Sequence, residues 1–326
     1  MKRTIPRLSG FSVLPLVLLS TTTVRAWLPS RMATTAAVAL KPTTATATTS
    51  SSSSFSSIML HLSTDVSDSP PAPVSITPFN KPKRVVLDNT LYVYDHCPFC
   101  VRVRLALGIK NVKHNLHFLA NDDVDTPTRL VGKKIAPIFE FPEDDVVMAE
   151  SMDIIELIDS DERFGPTNMI RPPSGRTDLK EWQKSVQSLL RTLQRPRYVA
   201  TGLLPEFQQR DARHAFIVNH QLPPYDKEEW KSLDKDEKLR IFEEAMAADP
   251  APMIEELNAR LVALDDIVYC EYYCTEGGLS MDDIDLWARL RSITIIRDVK
   301  WPEGLRKYMD NMSELADVPL YDAMAM

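Results

Sequence analysis

The chain predicts a small α/β domain followed by an all-helical one, and three observations carry that reading. Between Asp88 and Gly165, short apolar runs alternate with helix-period segments in the order strand, helix, strand, helix, two strands, helix. From Pro166 onward glycine is rare and apolar residues recur at helical intervals. Ahead of both, Met1 to Thr64 carries no Asp or Glu and is rich in Ser, Thr and Ala, which reads as a leader and not as a domain. The expected organisation is leader and linker over 1–87, the α/β domain over 88–165 and the helical domain over 166–326.

In the first domain, Leu91 to Tyr94 reads as a short buried strand, Pro98 to Leu107 as a helix stopped by Gly108, and Asn115 to Leu119 as a second strand. Strand, helix, strand implies a parallel pair. Asp125-Thr126-Pro127 carries helix-start chemistry and Gly132 closes that short helix. Ile138 to Phe141 and Val146 to Met148 flank Pro142-Glu143-Asp144-Asp145 as a hairpin. A third helix starts at Ser151 and places Met152, Ile155 and Ile158 on the sheet. The order βαβαββα is a thioredoxin-like layout.

In the second domain, Leu179, Trp182, Val186, Leu189 and Leu193 define one apolar helix face, and Ile284, Trp287 and Leu290 another. Ser280-x-x-Asp283 reads as a capping box that starts the latter helix. Pro223 to Asp249, dense in Lys, Asp and Glu, reads as a solvated helical insertion.

Composition narrows the function. With 326 residues there is room for about two domains. Cys97, Cys100, Cys270 and Cys274 are too few to form a secreted disulfide scaffold. Lys2, Arg3, Arg7, Arg25, Arg31 and Lys41 make the first 64 residues +6, which leaves −13 on residues 65–326 of a chain of net charge −7. That excess of negative charge argues against nucleic acid or an anionic membrane as partner.

The leader has two parts. Lys2, Arg3 and Arg7 precede an apolar run, Phe11 to Leu19, and a small-x-small site, Val24-Arg25-Ala26, with cleavage expected before Trp27. The run is about half a membrane span, so a single-pass anchor is not expected. The acid-free stretch 27–64 has the composition of an organelle transit peptide. A signal followed by a transit segment, joined at Ala26-Trp27-Leu28-Pro29, resembles the bipartite leaders of algae whose plastids have extra membranes. Plastid import is the expectation, with a mitochondrial leader or another organelle as the alternative. Pro70, Pro71, Pro73, Pro78 and Pro82 extend the linker to about residue 87.

The chemistry centres on Cys97-Pro98-Phe99-Cys100, where a strand gives way to a helix. A sulfur at the first turn of a helix meets unpaired backbone N–H groups and the positive end of the macrodipole, so its thiolate is favoured. Cys100, one turn on, is placed to attack a mixed disulfide formed on Cys97. His96 reads as an exposed loop histidine, since exchange needs no base once the thiolate exists. Cys270 and Cys274 read as partly buried thiols packed against aromatics, with a second disulfide or a zinc cage as lesser readings.

The residues YVYDHCPFCVRVRLALG from Tyr92, NDDVDTPTRLVGKKIAPIF from Asn121, and ESMDII from Glu150 closely resemble the two-domain bacterial glutaredoxin 2 family. The likeness continues more weakly through WPEGLRKYMDNMSELADVPLYDAMAM at the C-terminus. It implies a thioredoxin-like domain followed by a glutathione-transferase-like helical domain, and glutathione-dependent disulfide reduction by Cys97 and Cys100. It implies further that Pro98 and Phe99 border the glutathione, and that Pro137 is a cis-proline whose partner Ala136 pairs with the glutathione backbone. Glu150 and Ser151 would hold the γ-glutamyl end, and Lys134 the glycine carboxylate. Ala136 stands where the family usually has Val, and Phe99 where it often has Tyr, which can tune substrate choice without removing a reacting group. The implied partners are glutathione, as reducing co-substrate, and disulfide-containing or glutathionylated proteins, with the chain a monomer and no metal expected. A dehydroascorbate reductase or omega-like glutathione transferase is the alternative on the same scaffold. A glutathione-sensing or iron–sulfur-binding module is the non-enzymatic one.

Overall fold

A computed structural model describes residues 78–326. The leader lies outside the described residues.

The first domain is a four-stranded sheet in the order β2-β1-β3-β4. Strand β1 (Val85–Val93) pairs parallel with β2 (Val112–Phe118) and antiparallel with β3 (Ile138–Phe141), which pairs antiparallel with β4 (Val146–Ala149). Helices α1 (Pro98–Ile109), α2 (Asp125–Val131) and α3 (Ser151–Ser160) connect them, which completes the expected βαβαββα order.

Three local differences from the sequence reading have clear causes. Strand β1 starts at Val85, inside the segment assigned to the linker, because a register shift between Val86 and Thr90 lets the strand continue past the poor strand formers Asp88 and Asn89. Gly108 does not stop α1. It lies inside the helix, where a Cβ would stand 1.7 Å from the carbonyl oxygen of Ala316. In α2 the capping carboxylate is Asp123, which accepts from the Thr126 N–H at 2.9 Å, while Asp125 is already helical. Gly132, at φ 77°, ends α2 as expected, with its N–H donating to Thr128 O.

In α3 the buried apolar residues are Ile154, Ile155 and Ile158, whereas Met152 is 46% exposed and does not pack on the sheet. Val101, Val103, Leu105, Ala106, Leu107 and Ile109 of α1 are all buried, because α3 covers one side of it and the second domain another.

That second domain is helical, with α4 (Asp178–Thr201), α5 (Arg210–Asn219), α6 (Lys227–Ser232), α7 (Lys235–Ala247), α8 (Ala251–Asp265), α9 (Met281–Leu290) and α10 (Glu303–Ala316). Helices α9 and α10 pack on α1, and α4 packs on α7 and α8. The predicted face of α4 is buried at Leu179, Trp182, Val186 and Leu193, with Leu189 half-buried beside it. Ser280 and Asp283 form the expected capping box at α9. Residues 223–249 are not merely a solvated insertion. Capping boxes at Asp226 and Asp234 start α6 and α7, and Trp230 and Phe242 bury themselves in the domain core.

Candidate active site

Cys97 occupies the N-cap of α1 and Pro98 its first turn. The backbone there is extended at Cys97, φ −76° and ψ 118°, and its carbonyl accepts from the Val101 N–H at 3.0 Å. The two thiols are polarised in opposite directions. Cys97 is pulled down to about 6, chiefly because the Cys100 thiol donates to it, with the charge of the neighbouring His96 ring and the backbone N–H groups of Cys100 and Phe99 adding to the effect. Cys100 is fully buried, and burial together with the Cys97 sulfur beside it pushes it well up. The Tyr94 N–H donates to the Cys100 sulfur at 3.4 Å, which fixes it under the loop. One sulfur is thus set up as thiolate and the other as the thiol that holds a proton beside it.

The other residues singled out in the sequence fall around this pair. The Ala136–Pro137 bond is cis and leads directly into β3. Phe99 is exposed, and the Arg102 guanidinium lies over its ring at 4.8 Å. Ser151 is buried at the first turn of α3 and Glu150 is the N-cap. Glu150 holds a positive φ of 75°, a backbone state that a non-glycine residue adopts at some expense in energy and that is frequent at ligand sites. Lys134 extends its ammonium to the Asn121 carbonyl at 2.5 Å, and its neighbour Lys133 is the one that pairs with Glu150, at 3.4 Å. Cys270 is half-buried and Cys274 fully buried, both as free thiols. Burial, with the Asp283 carboxylate adjacent, pushes the Cys274 thiol up, so it is the opposite of a nucleophile.

His96 is not the exposed loop histidine expected. Its ring meets those of Tyr198, Phe207 and Phe216, with centroids 5.2, 5.1 and 5.2 Å away. Its backbone N–H donates to Glu206 Oε1 at 2.9 Å, and its Nδ1 lies 2.6 Å from the same oxygen. Glu206 is fully buried in the short 3₁₀ turn Pro205–Phe207. The sequence reading missed it, although a carboxylate set in the apolar stretch Leu203-Leu204-Pro205-Glu206-Phe207 was a visible anomaly.

A clamp on Asp95, which has no signature in the sequence, also joins the two domains. Arg291 of the helical domain donates to the Asp95 carbonyl at 2.8 Å and to both carboxylate oxygens at 3.2 Å, and the Tyr321 hydroxyl donates to the same carbonyl at 2.8 Å. Arg104 closes the cluster from α1. Burial works against the Asp95 charge, but Arg291 and Arg104 outweigh it and hold the carboxyl below its usual range. The loop that carries Cys97 is therefore fixed by the second domain through Arg291, Tyr321 and Glu206. A groove of about 410 Å³ opens between that loop and α4.

A thioredoxin-like sheet with a polarised Cys-x-x-Cys at its first helix, locked onto an all-helical domain, defines a two-domain thiol–disulfide oxidoreductase of the glutathione-transferase-like fold. Comparison with known proteins agrees. Residues 96–161 match the glutathione S-transferase N-terminal domain and residues 178–325 the glutaredoxin 2 C-terminal domain. Glutaredoxin 2 of Escherichia coli K12 is 33% identical over 236 residues, which covers 72% of this chain and 99% of that protein; that of Escherichia coli O157:H7 matches equally. The crystal structure of glutaredoxin 2 from Salmonella typhimurium in complex with glutathione superposes with a TM-score of 0.60 at 32% identity, over 73% of this chain and 99% of that one. The chain belongs to the glutaredoxin 2 family, and as a member it is a glutathione-dependent oxidoreductase.

Among the described residues no group of three or more His, Cys, Asp or Glu side chains is arranged to hold a metal ion, and no helix is long and apolar enough to cross a membrane.

Proposed function

We propose that the chain reduces glutathione mixed disulfides and protein disulfides through the Cys97-Pro98-Phe99-Cys100 dithiol. The observation that supports this most is the opposed polarisation of the two sulfurs, with Cys97 pulled down to about 6 and Cys100 pushed up. The Cys97 thiolate attacks one sulfur of the substrate disulfide, a new bond to Cys97 forms, and the displaced sulfur leaves with the electron pair and takes up a proton. For a protein disulfide, Cys100 then gives up its proton and attacks Cys97, which frees the second substrate thiol and leaves a Cys97–Cys100 disulfide. Two glutathione molecules restore the dithiol and leave as glutathione disulfide. For a glutathione mixed disulfide, a single glutathione can resolve the Cys97 adduct directly.

In this reading the glutathione lies across the Ala136-Pro137 edge, its peptide backbone paired there like an added strand. Its γ-glutamyl carboxylate meets the start of α3 at Ser151, and its ammonium meets Glu150. Lys134, whose ammonium lies 2.5 Å from the Asn121 carbonyl, would meet the glycine carboxylate, and Lys133 pairs with Glu150 at the γ-glutamyl end. Pro98 and Phe99 would border the thiol end. The chain would act as a monomer on glutathionylated or disulfide-containing proteins, and residues 1–64 would deliver it into a plastid.

Parallel turnover assays with a small glutathione mixed disulfide and with dehydroascorbate test the reading. Faster reduction of the mixed disulfide is expected. Reduction of dehydroascorbate alone would replace this reading with the reductase alternative. A visible absorption band of bound iron and sulfide, without turnover of either substrate, would replace it with the binding module.

A further inference from the structure

One face of α4 carries Gln183, Gln187, Arg191 and Arg195, four residues apart, and all four line the groove that also contains Cys97. Trp182 and Leu190, adjacent on the same helix, supply its apolar floor. On a chain of net charge −7, no described residue lining this groove is an aspartate or glutamate.

Two like charges spaced i, i+4 on a helix repel each other, so Arg191 and Arg195 are a locally unfavourable pair. Neither has an acidic partner among the described residues; Arg195 donates to the Gln221 carbonyl, and Arg289, which lines the same groove, shares the single carboxylate of Asp285 with Arg102. Burial and the neighbouring Arg191 charge both work against Arg195, which is pulled down to about 10. Two uncompensated guanidinium groups lining the groove that contains Cys97 are a binding site for negative charge.

We infer that this groove binds an acidic polypeptide segment, the stretch that flanks the modified cysteine of a glutathionylated protein. The inference rests on the reading of Cys97 as attacking thiol. With the glutathionyl half on the Pro137 and Ser151 side, the protein half of the substrate has to lie on the α4 side of the same sulfur. Cys97 attacks the glutathione sulfur; the Cys97–glutathione bond forms, the old disulfide bond breaks, and the electron pair leaves on the substrate cysteine, which then takes a proton from water. One thiolate is consumed and one is formed, and the guanidinium pair favours both the acidic flank and the departing anion. A second glutathione thiolate attacks the glutathione sulfur of the adduct and releases Cys97 and glutathione disulfide.

The test uses synthetic peptides of equal length with one central glutathionylated cysteine, flanked by Glu, Gln or Lys. For the wild-type protein at low ionic strength the Glu peptide is expected to exceed the Gln peptide in kcat/KM on the order of tenfold, with the Lys peptide slowest and the difference shrinking as salt rises. In an Arg191→Gln, Arg195→Gln double variant the Glu-to-Gln ratio should fall to about twofold or less. Should loss of the Gln221 contact unfold the double variant, Arg191→Gln alone is expected to reduce the ratio.

Binding of fluorescent peptides carrying serine in place of the cysteine to Cys97→Ser protein gives the same comparison without chemistry. Tighter binding of the Glu peptide, with no turnover of any mixed disulfide by the wild type, would uphold the groove and overturn the proposed reaction. Equal kcat/KM and equal binding for the Glu and Gln peptides, or a preference for the Lys peptide, would overturn the groove while leaving the reaction intact.

Discussion

Glu206, fully buried in the helical domain, holds His96 of the other domain by two contacts to a single oxygen, 2.9 Å from its backbone nitrogen and 2.6 Å from its ring Nδ1. The residue before Cys97 is thus positioned by a side chain 110 positions away in sequence. The His96 ring is one of the groups that favour the Cys97 thiolate, so the helical domain contributes to the reactivity of a sulfur it does not carry.

Replacing that carboxylate should therefore be felt at Cys97. Glu206→Ala leaves two largely buried donors on His96 without an acceptor, at a cost of about 1–3 kcal/mol for each. The wild-type alkylation rate of Cys97 should rise with pH through about 6 and level off above it, because only the thiolate reacts. In Glu206→Ala, with His96 released from its position beside Cys97, the pH profile should shift and the thermal midpoint should fall. An unchanged pH profile in a folded variant would mean that Glu206 is a packing residue only.

Gly108 reports on the contact between α1 and α10. A Cβ there would meet the backbone of Ala316 at 1.7 Å for the oxygen and 2.5 Å for the carbonyl carbon, and backbone atoms cannot rotate away. Gly108→Ala should destabilise the protein by about 1–3 kcal/mol, the usual range for overpacking. A denaturant titration measures this as a lower midpoint, and a midpoint equal to wild type would contradict the close approach.

At the glutathione end, Glu150→Ala and Ser151→Ala should weaken the use of glutathione by about 1.5–3 kcal/mol where a charge-assisted contact is lost. The alkylation rate of Cys97 should stay that of the wild type, because neither residue is among the groups that favour its thiolate. The glutathione dependence of mixed-disulfide turnover is the readout, and a dependence indistinguishable from wild type would reject the assignment.

The leader prediction is independent of the fold. N-terminal sequencing of the native mature protein should find residues 1–64 removed, and residues 1–87 fused to a reporter should direct it to a plastid. A mature chain that begins before Trp27, or a reporter that stays in the cytosol, would contradict the targeting reading.

What the sequence revealed and what it hid divide along the range of the interactions. The Cys97 helix start, the Gly132 stop, the hairpin and the Ser280–Asp283 box are local devices set by residues within a few positions of each other, and each was visible as a pattern. Glu206 and Arg291 reach the active-site loop across 110 and 196 positions, and a sequence pattern does not encode such a contact. Gly108 reads as a stop in the sequence because its purpose, room for Ala316, lies on another helix. Met152 fits the sheet face by a three-residue spacing, but steps of three fall short of the 3.6-residue turn, and it is left 46% exposed while Ile155 and Ile158 are buried. The acidic stretch after Pro223 hid Trp230 and Phe242, whose burial depends on α4 and α5 lying beside α7.

The central claim is that Cys97 attacks and Cys100 resolves, and separate serine variants assayed on two substrates test it most directly. Cys97→Ser should lose reduction of both a protein disulfide and a glutathione mixed disulfide, since the other sulfur at the site is buried and keeps its proton. Cys100→Ser should lose most reduction of the protein disulfide and retain reduction of the mixed disulfide, which free glutathione can resolve. Activity of Cys97→Ser on either substrate, or loss of both activities in a folded Cys100→Ser protein, would contradict this division of roles.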